Sequence, residues 1–182
     1  MRTWVTWSIT AVLLAGVATP LSAQREVRRN GFWIGFGLGG GWNTTQNVNN
    51  QALAGGAGYL RLGGTPSERL LLGGEVNVWV RSENDVTLSR GNATLTVLFY
   101  PSRSGGLFLK GGVGGASVQS SFTSGSVTTT VSDQGLGTTF GVGYDFRLGR
   151  NFNITPNADF LFQSISDVEN TLVLFSVGVT WH

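Results

Sequence analysis

The segment that decides the fold is GFWIGFGLGG, residues 31–40. Within it, Gly35, Gly37 and Gly40 match the G-x-G-x-x-G spacing of a dinucleotide-binding turn. Such a turn opens a helix and is followed by an acidic residue about 20 residues further on. Here a polar, Asn- and Thr-rich stretch follows, and the first carboxylate is Glu68. The alternation of large apolar and small residues instead predicts a β-strand with one apolar face and one nearly bare face.

The same two-residue alternation recurs along the rest of the chain. Its segments are bounded by Gly, Pro, Asn and Ser residues typical of turns. Pro156 has no amide hydrogen, so we expect it at a bulge or a local break in strand pairing. Compact turns are predicted near residues 65, 102 and 149, with longer polar loops between the other strands. The predicted strands are 31–42, 53–64, 70–80, 91–100, 107–116, 138–148, 152–163 and 172–182.

The composition indicates an exported membrane protein. Charged residues make up 12% of the chain, which contains 28 glycines and no cysteine, so a disulfide scaffold and a lipoprotein anchor are excluded. The predicted organisation is a signal peptide at 1–23, a short leader at 24–30 and one barrel at 31–182. No later apolar run is long enough for a spanning helix. The fold class predicted is all-β, an eight-stranded antiparallel up-and-down transmembrane β-barrel.

The charge distribution argues against nucleic acid as a partner. The net charge is only +2 and includes Arg2 in the predicted signal peptide. The basic cluster Arg25, Arg28 and Arg29 lies beside the predicted cleavage point, and we interpret it as a solvated leader.

Two classes of barrel would orient the strand faces in opposite ways. A soluble ligand-binding barrel would turn the apolar residues inward and expose the sparsely charged, Gly-rich strips to water. An outer-membrane barrel would turn the apolar band to lipid and enclose the charges, and the scarcity of charge favours this second class. An eight-stranded interior is only wide enough for side chains, so we predict a plugged lumen with paired charges. The predicted lumen network is Arg61, Glu75, Lys110, Asp145, Arg147 and Asp159.

Aromatic residues lie near the ends of several predicted strands, on the apolar face. In an outer-membrane barrel this placement produces girdles at the two membrane interfaces. Aromatic residues also favour strands in general, so the prediction of a girdle depends on their position at strand ends. The predicted girdle is Phe32, Trp42, Phe99, Phe146, Phe152 and Trp181.

Four segments, GFWIGFGLGGGW, LFLKGGVGGA, TTFGVGYDF and LFSVGVTWH, together resemble the small eight-stranded outer-membrane barrels of Gram-negative envelopes. This family includes the membrane domain of outer-membrane protein A and its single-domain relatives. The resemblance implies outer-membrane lipid as the surroundings, both termini in the periplasm and a monomeric barrel. It also implies recognition of the last strand by the outer-membrane insertion machinery, although Trp181 is penultimate and His182 follows it, which departs from the usual pattern.

Catalytic chemistry has little support in the sequence. His182 is the only histidine, and enzymes of this general topology need a histidine near the external loops. Loop carboxylates such as Glu83, Asp85, Asp133, Asp167 and Glu169 could bind calcium, but solvated loop charges are the simpler interpretation. We therefore predict no catalytic site, no cofactor and no metal.

The resemblance implies a structural or surface-interaction, adhesion-like role through the external loops, with a narrow channel for small solutes as the alternative. No peptidoglycan-binding domain follows the last predicted strand, so wall anchoring is not expected. Residues 117–134 keep a two-residue period on both sides of TSGS, which predicts a projecting hairpin that presents a strand edge to a surface partner. A Ser/Thr-rich mobile loop is the alternative for the same residues.

Overall fold

The computed structural model describes residues 29–45, 52–124, 127–166 and 168–182. The predicted signal peptide and most of the leader lie outside the described residues. Within the described ranges the chain forms strands and connecting turns, and no helix there is long and apolar enough to cross a membrane. The strand segments of these ranges are β1 (Gly31–Thr45), β2 (Leu53–Ser67), β3 (Leu70–Glu83), β4 (Val86–Phe99), β5 (Leu107–Ser124), β6 (Val127–Tyr144), β7 (Phe146–Arg147), β8 (Phe152–Ile165) and β9 (Val168–Trp181).

These segments close into a single antiparallel barrel. Segments that follow one another along the chain are paired, except that β6 and β7 both pair with β8, and β1 also pairs with β9, for example Phe36 with Val179. The short segment β7 continues β6 beyond Asp145 in the same register, so the nine segments of the described chain make eight barrel strands. The predicted eight-stranded up-and-down barrel is confirmed.

The strands extend further than predicted on the side of the barrel opposite the compact turns. We call the side with the turns at 68–69, 100–106 and 148–151 the turn end and the other side the loop end. At the loop end β3 and β4 run on through polar residues to a turn at Asn84, which has a φ of 51°. The predicted long loop at 81–90 is therefore wrong. In these extensions Ser, Thr and Arg side chains interrupt the alternation of apolar and small residues. The backbone pairing between β3 and β4 nevertheless continues as far as the pair Glu83 and Val86.

Pro156 lies at a local break in pairing, as predicted. On one side Pro156 pairs with Val177 of β9. On the other side the pairing with β6 stops at Gly143 and Asn157 and resumes at Phe146 and Ile154. The break falls opposite the residue without an amide hydrogen, because proline cannot donate the ladder hydrogen bond there.

Alternate side chains point into the lumen and out of the barrel. The outward set is large and apolar, with Leu38 and Leu95 more than three-quarters exposed, whereas Arg61, Glu75 and Lys110 are buried inside. The soluble-barrel alternative, with the apolar face inward, is therefore wrong. The wall presents a continuous apolar band to its surroundings, which is the pattern of barrels that sit in lipid.

Candidate functional site

A buried ion-pair cluster lies in the middle of the lumen. Lys110 of β5 donates to Glu75 Oε1 of β3, and its Nζ lies 2.8 Å from Asp159 Oδ1 of β8. All three side chains are almost completely inaccessible to solvent. Asn77 donates to Glu75 Oε1 at 2.6 Å, and Asn157 donates to Asp159 Oδ2 at 2.9 Å. One lysine thus joins three strands across the lumen, and two asparagines hold its carboxylate partners.

Arg61 is completely buried next to this cluster. It is paired with Glu75 across β2 and β3, but its nearest contacts are with aromatic and hydroxyl groups. The guanidinium carbon lies 4.8 Å from the centre of the Tyr59 ring and 5.0 Å from that of Phe108. Its Nη2 donates to Thr180 Oγ1 at 3.2 Å. Stacking on two rings accommodates a buried cation at a place where direct carboxylate contact is lacking among the described residues.

Asp145 lies nearer the turn end and belongs to a second polar group. Tyr100 and Thr155 donate to its two carboxylate oxygens at 2.8 and 2.7 Å. His182 Nε2 lies 3.8 Å from Asp145 Oδ2, and the His182 amide donates to the carbonyl of Asn151. The only histidine of the sequence therefore lies at the turn end.

Arg147, the remaining predicted lumen charge, contacts the last compact turn. Its guanidinium donates to the carbonyls of Gly149 and Arg150 in the last compact turn. Strand alternation places Arg147 on the same face as the other predicted lumen charges. Alternation does not specify height along the barrel, and Arg147 lies at the rim.

The structure corrects the interpretation of Arg29 as part of a solvated leader. Arg29 is only 2% exposed, and its guanidinium stacks 3.6 Å above the ring of Tyr100. It donates to the carbonyls of Glu68, Arg103 and Gly105. Those carbonyls belong to two different turns, so Arg29 ties the turns together and covers the turn end of the lumen. Arg25 and Arg28 lie outside the described residues.

Two apolar clusters fill the lumen above and below the ion pairs. The cluster at the turn end packs Trp33, Leu71, Leu98, Tyr100 and Phe108, and the cluster toward the loop end packs Trp79, Leu161, Leu172 and Leu174. The predicted lumen network contained only the charges of the inward face, and these apolar plugs were not predicted. The signal was present, because these large apolar residues interrupt a face that otherwise carries polar residues and glycines.

Inward glycines make room for these side chains. A methyl group at Gly141 would meet Asp159 Oδ1 and Lys110 Cε, and one at Gly143 would meet the ring of Phe108. The long lumen side chains therefore occupy the volume that these glycines leave free.

The residues of the predicted aromatic girdle all point outward and are 41–54% exposed. Five of them surround the turn end, where Phe152 and Trp181 are directly paired. Trp42 lies toward the loop end and makes an edge contact with Phe175 at 6.0 Å between ring centres.

The β5–β6 hairpin is continuously paired from Leu107 and Tyr144 to Ser124 and Val127. The predicted hairpin is thus present, in place of an irregular loop. On its other side β6 pairs with β8 only from Leu136 onward. Residues 129–135 of β6 therefore lack a second strand partner within the described chain.

Asp133 covers the part of this β6 edge that lies nearest to the start of the β6–β8 pairing. Its carboxylate accepts hydrogen bonds from the Ser166 hydroxyl, in the β8–β9 turn, and from the Gln134 amide at 2.8 Å. These two hydrogen bonds lower the pKa of Asp133 below its ordinary value. Thr130 and Ser132 lie further out, beyond this cover.

A metal site is not supported by the described residues, which include no group of three or more His, Cys, Asp or Glu side chains able to hold an ion. Of the loop carboxylates, Glu83 is engaged by Arg81 at 2.7 Å and Asp133 by Ser166. Asp167 lies outside the described ranges.

No family model and no curated protein sequence matches the chain. Solved structures with the same fold do match. Ail, the attachment invasion locus protein of Yersinia pestis, is 15% identical with a TM-score of 0.60, and the match covers 84% of this chain and 99% of Ail. The complex of Ail with the heparin analogue sucrose octasulfate matches with a TM-score of 0.63, at the same identity and coverage. Neisserial surface protein A is 13% identical with a TM-score of 0.60, over 82% of this chain and 96% of that one. The chain therefore has the fold of the small eight-stranded outer-membrane barrels.

Proposed function

We propose that this protein is an integral outer-membrane barrel without enzymatic activity, and that it acts at the cell surface through the β5–β6 hairpin. The outward face supports the membrane location, because it exposes Leu95, Val113 and Val177 by 60% or more. An apolar surface of this extent would be unfavourable in water. Closure of the sheet satisfies the strand backbone inside lipid. In this orientation the turn end and both termini face the periplasm.

The observation that carries the surface role is the edge of β6. The Asp145 amide donates to the carbonyl of Gly106, the residue before β5, and the β5–β6 register continues unbroken to the end of the hairpin. Because residues in an antiparallel pair direct their amide and carbonyl groups alternately to the two sides, Thr130 and Ser132 direct theirs away from β5. An extended segment of a partner protein would add to this edge as a further strand.

The comparison with Ail suggests attachment as the class of role, but it does not suggest a sulfated ligand for this chain. Arg81 at the loop end is paired with Glu83, and Asp85, Asp133 and Glu169 add negative charge there. A sulfated polysaccharide would be repelled by this end of the barrel. A peptide strand fits the site better, because backbone pairing requires no positive charge.

The edge is tested by removing its outward amides. In bacteria that display the barrel, Thr130→Pro and Ser132→Pro should reduce attachment to cultured epithelial cells to the level of bacteria without the barrel. Thr130→Val and Ser132→Ala keep the amides and should retain attachment. Equal attachment by all four variants, at equal surface levels, would exclude the β6 edge as the binding site.

The alternative role as a narrow channel is tested by conductance in planar bilayers. The Trp33 and Trp79 clusters and the ion pairs leave a lumen filled by side chains. We expect little or no steady conductance from the unmodified barrel. A large and stable conductance would instead favour solute passage.

A further inference from the structure

A groove of about 500 Å³ crosses the outer wall of the barrel. Five of its lining residues lie in a row across β5, β6, β8, β9 and β1: Leu107 pairs with Tyr144, Pro156 pairs with Val177 and Val177 pairs with Leu38, while Tyr144 and Pro156 face each other across the break in pairing. The groove therefore runs along the hydrogen-bonding direction across five strands. At about 4.8 Å between strands, this is a length of about 19 Å. A depression of this length, open on its outer side and lined almost entirely by apolar atoms, can accommodate one extended hydrocarbon chain.

Small outward residues create the groove. Pro156 and Ala158 point outward and are only half-buried, and the exposed ring of Phe175 stands beside them. The break in pairing between β6 and β8 lies opposite Pro156. The floor of the groove is therefore built into the wall of the barrel and does not depend on the position of one flexible side chain.

The lower end of the groove lies at the turn end. Leu107 is the first residue of β5, whereas Leu38 lies in the middle of β1. Because barrel strands tilt relative to the barrel axis, a path along their hydrogen bonds climbs the wall. The groove thus rises from the rim at Leu107 toward the middle of the membrane-facing band.

Positive charge is concentrated at this rim. Arg103 and Arg150 lie in the two turns that flank Leu107 and Tyr144, Arg147 ends β7 just before the second of these turns, and Arg69 lies in the remaining compact turn. The acidic residue in these turns is Glu68, whose exposed contact with Arg103 spans 3.6 Å. An exposed ion pair of this kind is weak, so the guanidinium of Arg103 can exchange Glu68 for a phosphate.

We infer that the groove binds one acyl chain of an anionic phospholipid of the periplasmic leaflet, with the headgroup phosphate at Arg103 and Arg150. This inference rests on the proposed membrane location. Guanidinium groups suit phosphate because they donate hydrogen bonds in a planar fork. A second copy of the barrel is a poorer occupant, since side-by-side packing at the same height would bring the arginines of two rims together.

A second groove on the wall provides an internal control. It has about 480 Å³ and is lined by Leu62, Gly74, Ala93, Leu95 and Val113 among others. None of its lining residues adjoins a turn. It offers a similar apolar volume without arginines at its end, so a headgroup-dependent lipid site should form only in the first groove.

The experiment uses the full barrel in bilayers that contain a phosphatidylglycerol with a photoactivatable group in its acyl chain, with the matched phosphatidylcholine as the neutral probe. Mass spectrometry locates the cross-linked residues. We expect phosphatidylglycerol to label the Pro156–Val177 groove more strongly than phosphatidylcholine does. Each of the substitutions Arg103→Gln and Arg150→Gln should lower this labelling about fivefold, and the double variant combines the two effects. Ala158→Phe should abolish it by filling the groove, whereas Ala93→Phe in the second groove should leave it unchanged.

Equal labelling of the groove by the two lipids, or no effect of the double arginine variant, would overturn the inference. If a bifunctional cross-linker added to the same bilayers joins two barrels at the groove, the inference is overturned in favour of a second copy. Labelling of Leu95 by both lipids serves as the control for membrane insertion. If Leu95 is labelled and the groove shows no preference, only the lipid site fails; if Leu95 is not labelled by any lipid, the proposed membrane location fails as well. The arginine variants lie on exposed turns, so they test the site even if Ala158→Phe disturbs folding.

Discussion

The two faces of the same strands obey different constraints. On β4, Leu95 points outward and is 77% exposed, whereas Leu98 points inward and is 0% exposed. Outward residues need only be apolar, because fluid lipid adapts to their shape. Inward residues must also fit a particular neighbour, as Phe108 fits against Gly143 and Lys110 against Glu75 and Asp159. Changes of charge should therefore be harmful on both faces, but changes of shape only inside.

The largest effect is expected from the inward ion-pair cluster. Lys110→Ala removes the cation between Glu75 and Asp159 and leaves two carboxylates buried without it. Breaking a buried ion pair in this way costs about 3–5 kcal/mol. We expect a loss of this size in denaturant titrations of the bilayer-inserted barrel, and intermittent openings in conductance records.

The control for this change removes one carboxylate together with the lysine. The double variant Lys110→Met, Asp159→Asn leaves Glu75 as the negative neighbour of the buried Arg61 and should recover most of the lost stability. If Lys110→Ala alone costs less than about 1 kcal/mol, the cluster behaves like a solvated surface pair and the lumen is wet.

A slightly smaller effect is expected from charge on the outward face. Leu95→Arg and Val142→Arg place a guanidinium near the middle of the apolar band. If this band meets hydrocarbon, each should cost about 2–4 kcal/mol in folding titrations in bilayers. Leu95→Phe and Val142→Leu keep the apolar character and should be nearly neutral. If both positions tolerate arginine, the outward face does not contact lipid.

Strand number, barrel closure and the direction of each face follow from the sequence, because alternation is a local property with a period of two residues. The extension of β3 and β4 to Asn84 does not, since polar residues there continue the pairing without continuing the apolar pattern. The β5–β6 hairpin could be foreseen as one of two alternatives, because its Ser/Thr residues still alternate.

The lumen cluster was only partly foreseeable. Alternation selects which charges point inward, but it does not show that Lys110 lies between Glu75 and Asp159 while Arg147 lies at the rim. Height depends on the pairing register of all eight strands, which a single sequence does not display. Arg29 was misassigned for a related reason: its partners are backbone carbonyls of distant turns, and those carry no signature in the sequence.

The smallest effect is expected from two glycines in adjacent pairs of the β5–β6 ladder. Gly141 points inward, and a methyl group there would meet Asp159 Oδ1 and Lys110 Cε; Gly111 points outward and has nothing within 4 Å of the same position. Gly141→Ala should cost about 1–3 kcal/mol by overpacking and by forcing apart the ion pair. Gly111→Ala should be neutral or stabilising by up to about 1 kcal/mol, because alanine restricts the unfolded chain. Both variants change one methyl group in a strand, so matched unfolding titrations isolate the face as the cause. Equal costs at the two positions would mean that the inward face tolerates shape as freely as the outward one, and the contrast between the faces would then be one of polarity alone.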